Sequence, residues 1–273
     1  MNLHPPTSQP LLPDDIHEAL NAHGVFFKKR VIQELRTYED LHIAGEEIGE
    51  SFGKTRVADI LAFDRNPHEQ DLFFVIECKR VDIQNKVWIF FKDIDPTYKT
   101  SRESSIAGAL SIVANGTTDG LPVCSEGFEF DKKKNRIDQD PIFQAGNQIA
   151  GAFLGFMARR HGKRSTRIKI ERFVPVLVTT AKLLVVESEL STTELHSGTL
   201  KDPPETKEHQ HVILKQPFAT PEGLGHDFRD DVINDPWVSM HRESIHVVTA
   251  SGLSAFFSKS RRKIMHDVQS LTR

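Results

Sequence analysis

The stretch VIECKRV, Val75–Val81, decides how this sequence is read. It follows Phe73 and Phe74 and, its charges apart, has the β-branched, apolar make-up of an interior strand. Side chains alternate along a strand, so Val75, Glu77 and Lys79 share one face, while Phe74, Ile76 and Cys78 share the other and can pack on a helix. Charges on an interior strand need partners, because burying them alone is costly. The stretch TRVADILAFDRN, Thr55–Asn66, reads as the preceding strand, with Val57, Asp59 and Leu61 on one face and a turn signal in DRNPHEQ. Antiparallel pairing across that turn puts Asp59 beside Glu77. Two adjacent carboxylates repel each other, and a divalent cation between them would relieve the repulsion. A lysine nearby balances charge and can hold a water.

The rest of the chain supplies elements to flank these strands. Residues 1–13 read as a flexible arm and 14–273 as a single domain. DDIHEALNAHG, Asp14–Gly24, reads as a short helix with an acidic cap and a terminal glycine. VFFKKRVIQELRT, Val25–Thr37, reads as a second, with Phe27, Val31 and Leu35 at a spacing of four. LHIAGEEIGES, Leu41–Ser51, reads as a strand broken by Gly45 and Gly49. PIFQAGNQIAGAFLGFMARR, Pro141–Arg160, is helical in pattern. RFVPVLVTTAKLLVVE, Arg172–Glu187, is too β-branched for a helix and predicts one or two strands. Residues of about 92–140 and 188–240 read as polar, loop-rich insertions, the first with a hairpin around PVCSEGFEF and the second with a strand at HVILKQPF. SIHVVTASGLSAFFSKSRR, Ser244–Arg262, predicts a last strand and a closing helix. This order fits an α/β fold, one mixed central sheet flanked by helices.

Composition sets few limits. The 273 residues suffice for one core, and a net charge of −3 neither announces nor excludes a nucleic-acid partner. Two cysteines, Cys78 and Cys124, make no disulfide framework and suit a reducing, cytoplasmic setting. The opening MNLHPPTSQPLLPDD lacks the pattern of a signal peptide, and no membrane span is expected.

Asp59, followed on the next strand by Glu77-Cys78-Lys79 and preceded by a helix carrying Glu34, resembles the PD-(D/E)XK nuclease superfamily. The resemblance covers residues 25–90 and 141–187; Ala58 stands where that pattern has proline. It implies a restriction-endonuclease-like fold and a Mg2+-dependent nuclease, with Mn2+ as a substitute ion. Asp59, Glu77 and the backbone carbonyl of Cys78 would be the metal ligands, and Lys79 would position the attacking water. Glu34 matches a glutamate that many members carry on the first helix. Gln148, with Gln144 one turn before it, matches a glutamine on the helix after the E-x-K motif. Rival acids stand at Glu46, Glu47 and Glu50.

The expected partner is DNA, and a homodimer is compatible with the family. The dense basic run RRHGKRSTRIKIER, Arg159–Arg172, suits phosphate contact through Arg159, Arg160, Lys163, Arg164 and Arg167. Further basic runs occur at Lys132–Lys134 and Arg261–Lys263. The expected role is a restriction- or defence-type endonuclease; the alternatives are a repair or junction-cleaving nuclease and a non-catalytic nucleic-acid-binding protein. His209 and His211 lack a third ligand at zinc-like spacing, and neither a nucleophile elbow nor a glycine-rich phosphate loop is present.

Overall fold

The computed structural model describes residues 24–45, 48–51, 54–65, 70–92, 121–138, 141–149, 151–152, 170–187, 203–215 and 244–260. The expected arm and first short helix therefore lie outside the described residues, apart from Gly24.

Helix α1 (Val25–Leu35) forms where the spacing of Phe27, Val31 and Leu35 predicts it. Val31 and Leu35 are buried, and Phe27 packs against them at the edge of the same cluster. The strands among the described residues are β1 (Leu41–Gly45), β2 (Ile48–Ser51), β3 (Lys54–Val57), β4 (Ile60–Arg65), β5 (Gln70–Lys79), β6 (Lys86–Lys92), β7 (Val123–Asp131), β8 (Arg136–Asp138), β9 (Ile170–Thr179), β10 (Leu183–Val186), β11 (Thr206–His209), β12 (His211–Lys215) and β13 (Ser244–Thr249). A second helix, α2, covers residues 141–149 and 151–152. A 3-10 turn (Ala250–Gly252), an α turn (Leu253–Ala255) and a π turn (Phe256–Ser260) form a C-terminal helical segment.

Eleven strands make one mixed sheet in the order β1-β4-β5-β9-β13-β12-β7-β6-β10-β11, with β8 paired to β7. Strands β2 and β3 form a separate two-stranded sheet. At one end of the main sheet β1, β4 and β5 are antiparallel neighbours, and β5, β9 and β13 run parallel. The mixed α/β architecture expected from the sequence is present.

Each sheet face has its own core. On one side Leu72, Phe74 and Ile76 of β5 meet Val31 and Leu35 of α1 and Phe256 and Phe257 of the C-terminal segment. On the other, Phe73 and Val75 join Leu61, Leu177 and the buried stripe Ile142, Ala145, Ile149 and Ala152 of α2. The strict alternation along β5 thus places Glu77 and Lys79 on the α2 side.

Several elements differ from the sequence reading, and the strand read over Leu41–Ser51 divides into β1 of the main sheet and β2 of the small one. The strand expected over Thr55–Asn66 divides into β3 and β4 at Ala58–Asp59, because the chain there leaves the small sheet and enters the large one. Strand β6 was not expected, and it pairs with β7 and β10. The two insertions are more than loops: PVCSEGFEF, where a hairpin was expected, lies almost wholly in the single strand β7, whose hairpin with β8 turns at 132–135, and β7, β11 and β12 belong to the main sheet. Their charges read as loop but are paired. Glu129, buried in β7, accepts hydrogen bonds from Lys86 Nζ and, at 3.1 Å, from Trp88 Nε1, both on β6. Among the described residues no helix is long and apolar enough to cross a membrane.

The β6–β7 pair has a tight point. Gly127 stands opposite Phe90, and a Cβ there would lie 2.7 Å from two atoms of that buried ring. Gly127→Ala should therefore destabilise the fold by about 1–3 kcal/mol through overpacking. Urea unfolding checks this: the midpoint should fall with the slope unchanged. An unaltered midpoint would mean that the ring swings aside freely.

Candidate active site

The antiparallel register of β4 and β5 ends at Ile60 opposite Ile76 and Leu61 opposite Val75. One step further the chain bends at Asp59, which brings this residue to the level of Glu77. Here a side chain takes over from the ladder. Asp59 Oδ2 accepts the Cys78 backbone N–H at 2.9 Å. In an antiparallel pair the N–H and C=O of one residue are directed to the same neighbour. The Cys78 carbonyl therefore faces the same edge as its N–H, towards Asp59.

The other oxygen, Asp59 Oδ1, is 3.4 Å from Lys28 Nζ of α1. Glu77 is half-buried and feels both charges. Burial chiefly, and then the neighbouring Asp59 carboxylate, push its pKa from an ordinary 4.5 to about 8. Lys79, Lys28 and a backbone hydrogen bond from Asp59 act in the opposite direction but do not cancel the rise. The Cys78 thiol is pushed up as well, by burial and then by Asp59 and Glu77, and it packs against the α1-side core. Cys78 is a core residue whose backbone faces the site.

This group lies at the carboxyl ends of three parallel strands. Lys79 is in register with Thr179 of β9, and Thr179 with Thr249 of β13. Carboxyl ends of strands are where open α/β sheets bind ligands.

The structure brings together Asp59, Glu77, Lys79 and the Cys78 backbone. It does not bring Glu34 to them. The residue of α1 that reaches Asp59 is Lys28; Glu34 lies six residues on, about 9 Å along the axis and on a different face. Gln144 and Gln148 are exposed on α2, and the Gln148 amide has no hydrogen-bond partner among the described residues. Arg159, Arg160, Lys163, Arg164 and Arg167 lie outside the described residues, as do Glu46, Glu47 and Arg261–Lys263. Glu50 belongs to β2, in the small sheet. Lys132–Lys134 are exposed in the β7–β8 turn. His209 and His211 diverge: His209 Nε2 is 3.8 Å from Glu187 Oε1, and His211 Nε2 is 3.0 Å from His246 Nδ1.

Lys28 is the residue that sequence reasoning missed. Its signal was a lysine three and seven positions before Val31 and Leu35, on the stripe that α1 buries.

As a metal centre the described residues offer two carboxylates and a carbonyl; no group of three or more His, Cys, Asp or Glu side chains converges among them. Magnesium needs few protein carboxylates, because it keeps several waters and binds substrate phosphate. Glu77 holds its proton to about pH 8 first because it is half-buried and next because Asp59 is close, and a divalent ion beside both carboxylates would favour their charged forms.

No family model, curated protein or solved structure matches this chain.

The pKa of Glu77 makes a stability prediction. Between pH 4.5 and about 8 the folded state binds a proton that the unfolded chain lacks. The stability tied to this proton is fully present below the unfolded value and is lost as pH rises through about 8. Glu77→Gln removes the group, so from pH 6 to 9 the variant should lose less stability than the wild type. Urea unfolding in metal-free buffer across that range checks this; identical pH dependence would place Glu77 in a water-like environment.

Proposed function

We propose that this chain is a metal-dependent nuclease that hydrolyses DNA phosphodiester bonds, as the PD-(D/E)XK nucleases it resembles do. One observation carries the reading. Asp59 meets the end of β5 through the Cys78 N–H, beside a Glu77 that its charge disfavours as an anion, with Lys79 on the same strand face as Glu77. Within the main sheet α1 is followed by β1, β4 and β5, and α2 by β9, which runs parallel to β5, with β2–β3 and β6–β8 intervening along the chain; this order is compatible with the reading.

Mg2+, or Mn2+ in its place, held by Asp59 Oδ1, Glu77 and the Cys78 carbonyl, would polarise a phosphoryl oxygen and acidify a bound water. Asp59 and Glu77 supply the negative charge that selects a cation over a neutral ligand. The Cys78 N–H fixes the Asp59 carboxylate at one oxygen and so limits its rotation. Lys79 donates to water at this edge and offsets negative charge that develops there. The basic segment from Arg159 to Arg167 would contact backbone phosphates. The role we propose is a restriction- or defence-type endonuclease, with the insertions giving surface for base contact beyond the core.

The test uses purified protein with supercoiled plasmid, linear duplex and single-stranded DNA, in Mg2+ or in EDTA. Cleavage is expected in Mg2+ and none in EDTA. Asp59→Asn, Glu77→Gln and Lys79→Met should each slow single-turnover cleavage about 100-fold or more, the scale of losing one preorganised charge or donor. Their duplex affinity in Ca2+ should change little. Full activity in a folded Asp59 or Glu77 variant would sink the site. Tight DNA binding without cleavage in any divalent ion would favour the non-catalytic alternative.

A further inference from the structure

Helix α1 sends a charged residue to the carboxylate pair, and its position bears on how a cation would enter. Asp59 Oδ2 is committed to the Cys78 N–H at 2.9 Å. Oδ1 is therefore the oxygen left for a cation, and Lys28 Nζ already stands 3.4 Å from it. The two side chains are 19% and 28% exposed, so the pair is partly withdrawn from screening water. Glu77 feels the same ammonium. A divalent ion on Oδ1 and the Lys28 ammonium would repel each other. Lysine is a compact charge on a flexible four-carbon stem, so its head can move while α1 stays docked through Val31 and Leu35. The anion that accompanies a divalent ion at a nuclease site is the substrate phosphate, and it would offer the displaced ammonium a new partner.

We propose that Lys28 exchanges partners, holding Asp59 until a divalent cation takes Oδ1 and then donating to a phosphate oxygen of the nucleic acid beside that site. The inference rests on reading Asp59 and Glu77 as metal-binding carboxylates. It makes Lys28 a built-in competitor that sets how much divalent ion the site requires. It also keeps the bare carboxylates from collecting other cations.

Two readouts independent of turnover test it. Calorimetric titration with Mg2+ alone should show Lys28→Met binding about three- to tenfold more tightly than the wild type, the scale of removing one partly screened charge. Duplex binding in Ca2+ across a salt series should show a log–log slope shallower by about 0.9, one phosphate contact fewer. Lys28→Gln, a second neutral variant with good helix propensity, should reproduce both changes. A merely structural Lys28 would weaken metal binding or leave it alone, so unchanged or weaker Mg2+ affinity overturns the exchange, as does an unchanged slope. Asp59→Asn separates the two levels. If the wild type binds Mg2+ no better than Asp59→Asn, the metal site falls and this inference with it. If binding requires Asp59 but is not tightened by Lys28→Met, the exchange alone falls.

Discussion

The hydrogen bond from the Cys78 N–H to Asp59 Oδ2 is the constraint on which the candidate site depends. A ladder bond at that position would have continued the β4–β5 pairing and left Asp59 pointing by alternation alone. The side chain replaces the ladder, the chain bends, and one carboxylate is fixed at the level of the next. The resistance of Glu77 to ionisation comes first from burial beside the core and next from the Asp59 carboxylate that this bond holds nearby.

The sheet makes this confrontation bearable by being rigid on both sides. Phe74 and Ile76 are locked between α1 and the C-terminal phenylalanines, where Phe74 meets the Phe257 ring edge-on at 5.1 Å. Phe73 and Val75 are locked beneath α2. A strand held on both faces has little freedom to relax a charge clash at its end, because packed interiors transmit strain rather than absorb it. The electrostatic cost at Glu77 is thus borne by two apolar cores, and the pair stays where the register puts it.

Much of the fold could be read from periodicity. The spacing in α1 and the alternation in β5 each specify one face, and each of these faces is buried as read. Strand β6 escaped because Val87 to Phe91 is a continuous apolar run, a pattern that a buried helix segment and a fully buried strand share. Strand β7 read as polar because Glu126, Glu129 and Asp131 lie in it, and the groups that neutralise Glu129 belong to β6. In the site, pairing of the two strands puts Asp59 at the level of Glu77, but the bend at Asp59 and its bond to the Cys78 N–H are not stated by alternation. Lys28 needed the docking of α1 on the sheet, which no local pattern states. A helix offers several polar faces, and its packing decides which one meets the strand ends.

Two carboxylates of this sheet are treated in opposite ways. Glu129 is buried, and each of its oxygens receives a donor, from Lys86 and from Trp88; the Lys86 ammonium is held above its usual range, first by that hydrogen bond. Donor and acceptor close on each other, as a buried pair must if it is not to destabilise the fold. At the ends of β4 and β5 the donors are also present: the Cys78 N–H, Lys28, Lys79 and the Asp59 backbone. They still leave Glu77 holding its proton to about pH 8. A structural role would be served by one carboxylate fewer or one closer cation. Retaining both carboxylates leaves a demand for positive charge that the described protein groups do not meet, and perturbed carboxylates of this kind cluster where proteins bind ions or do chemistry.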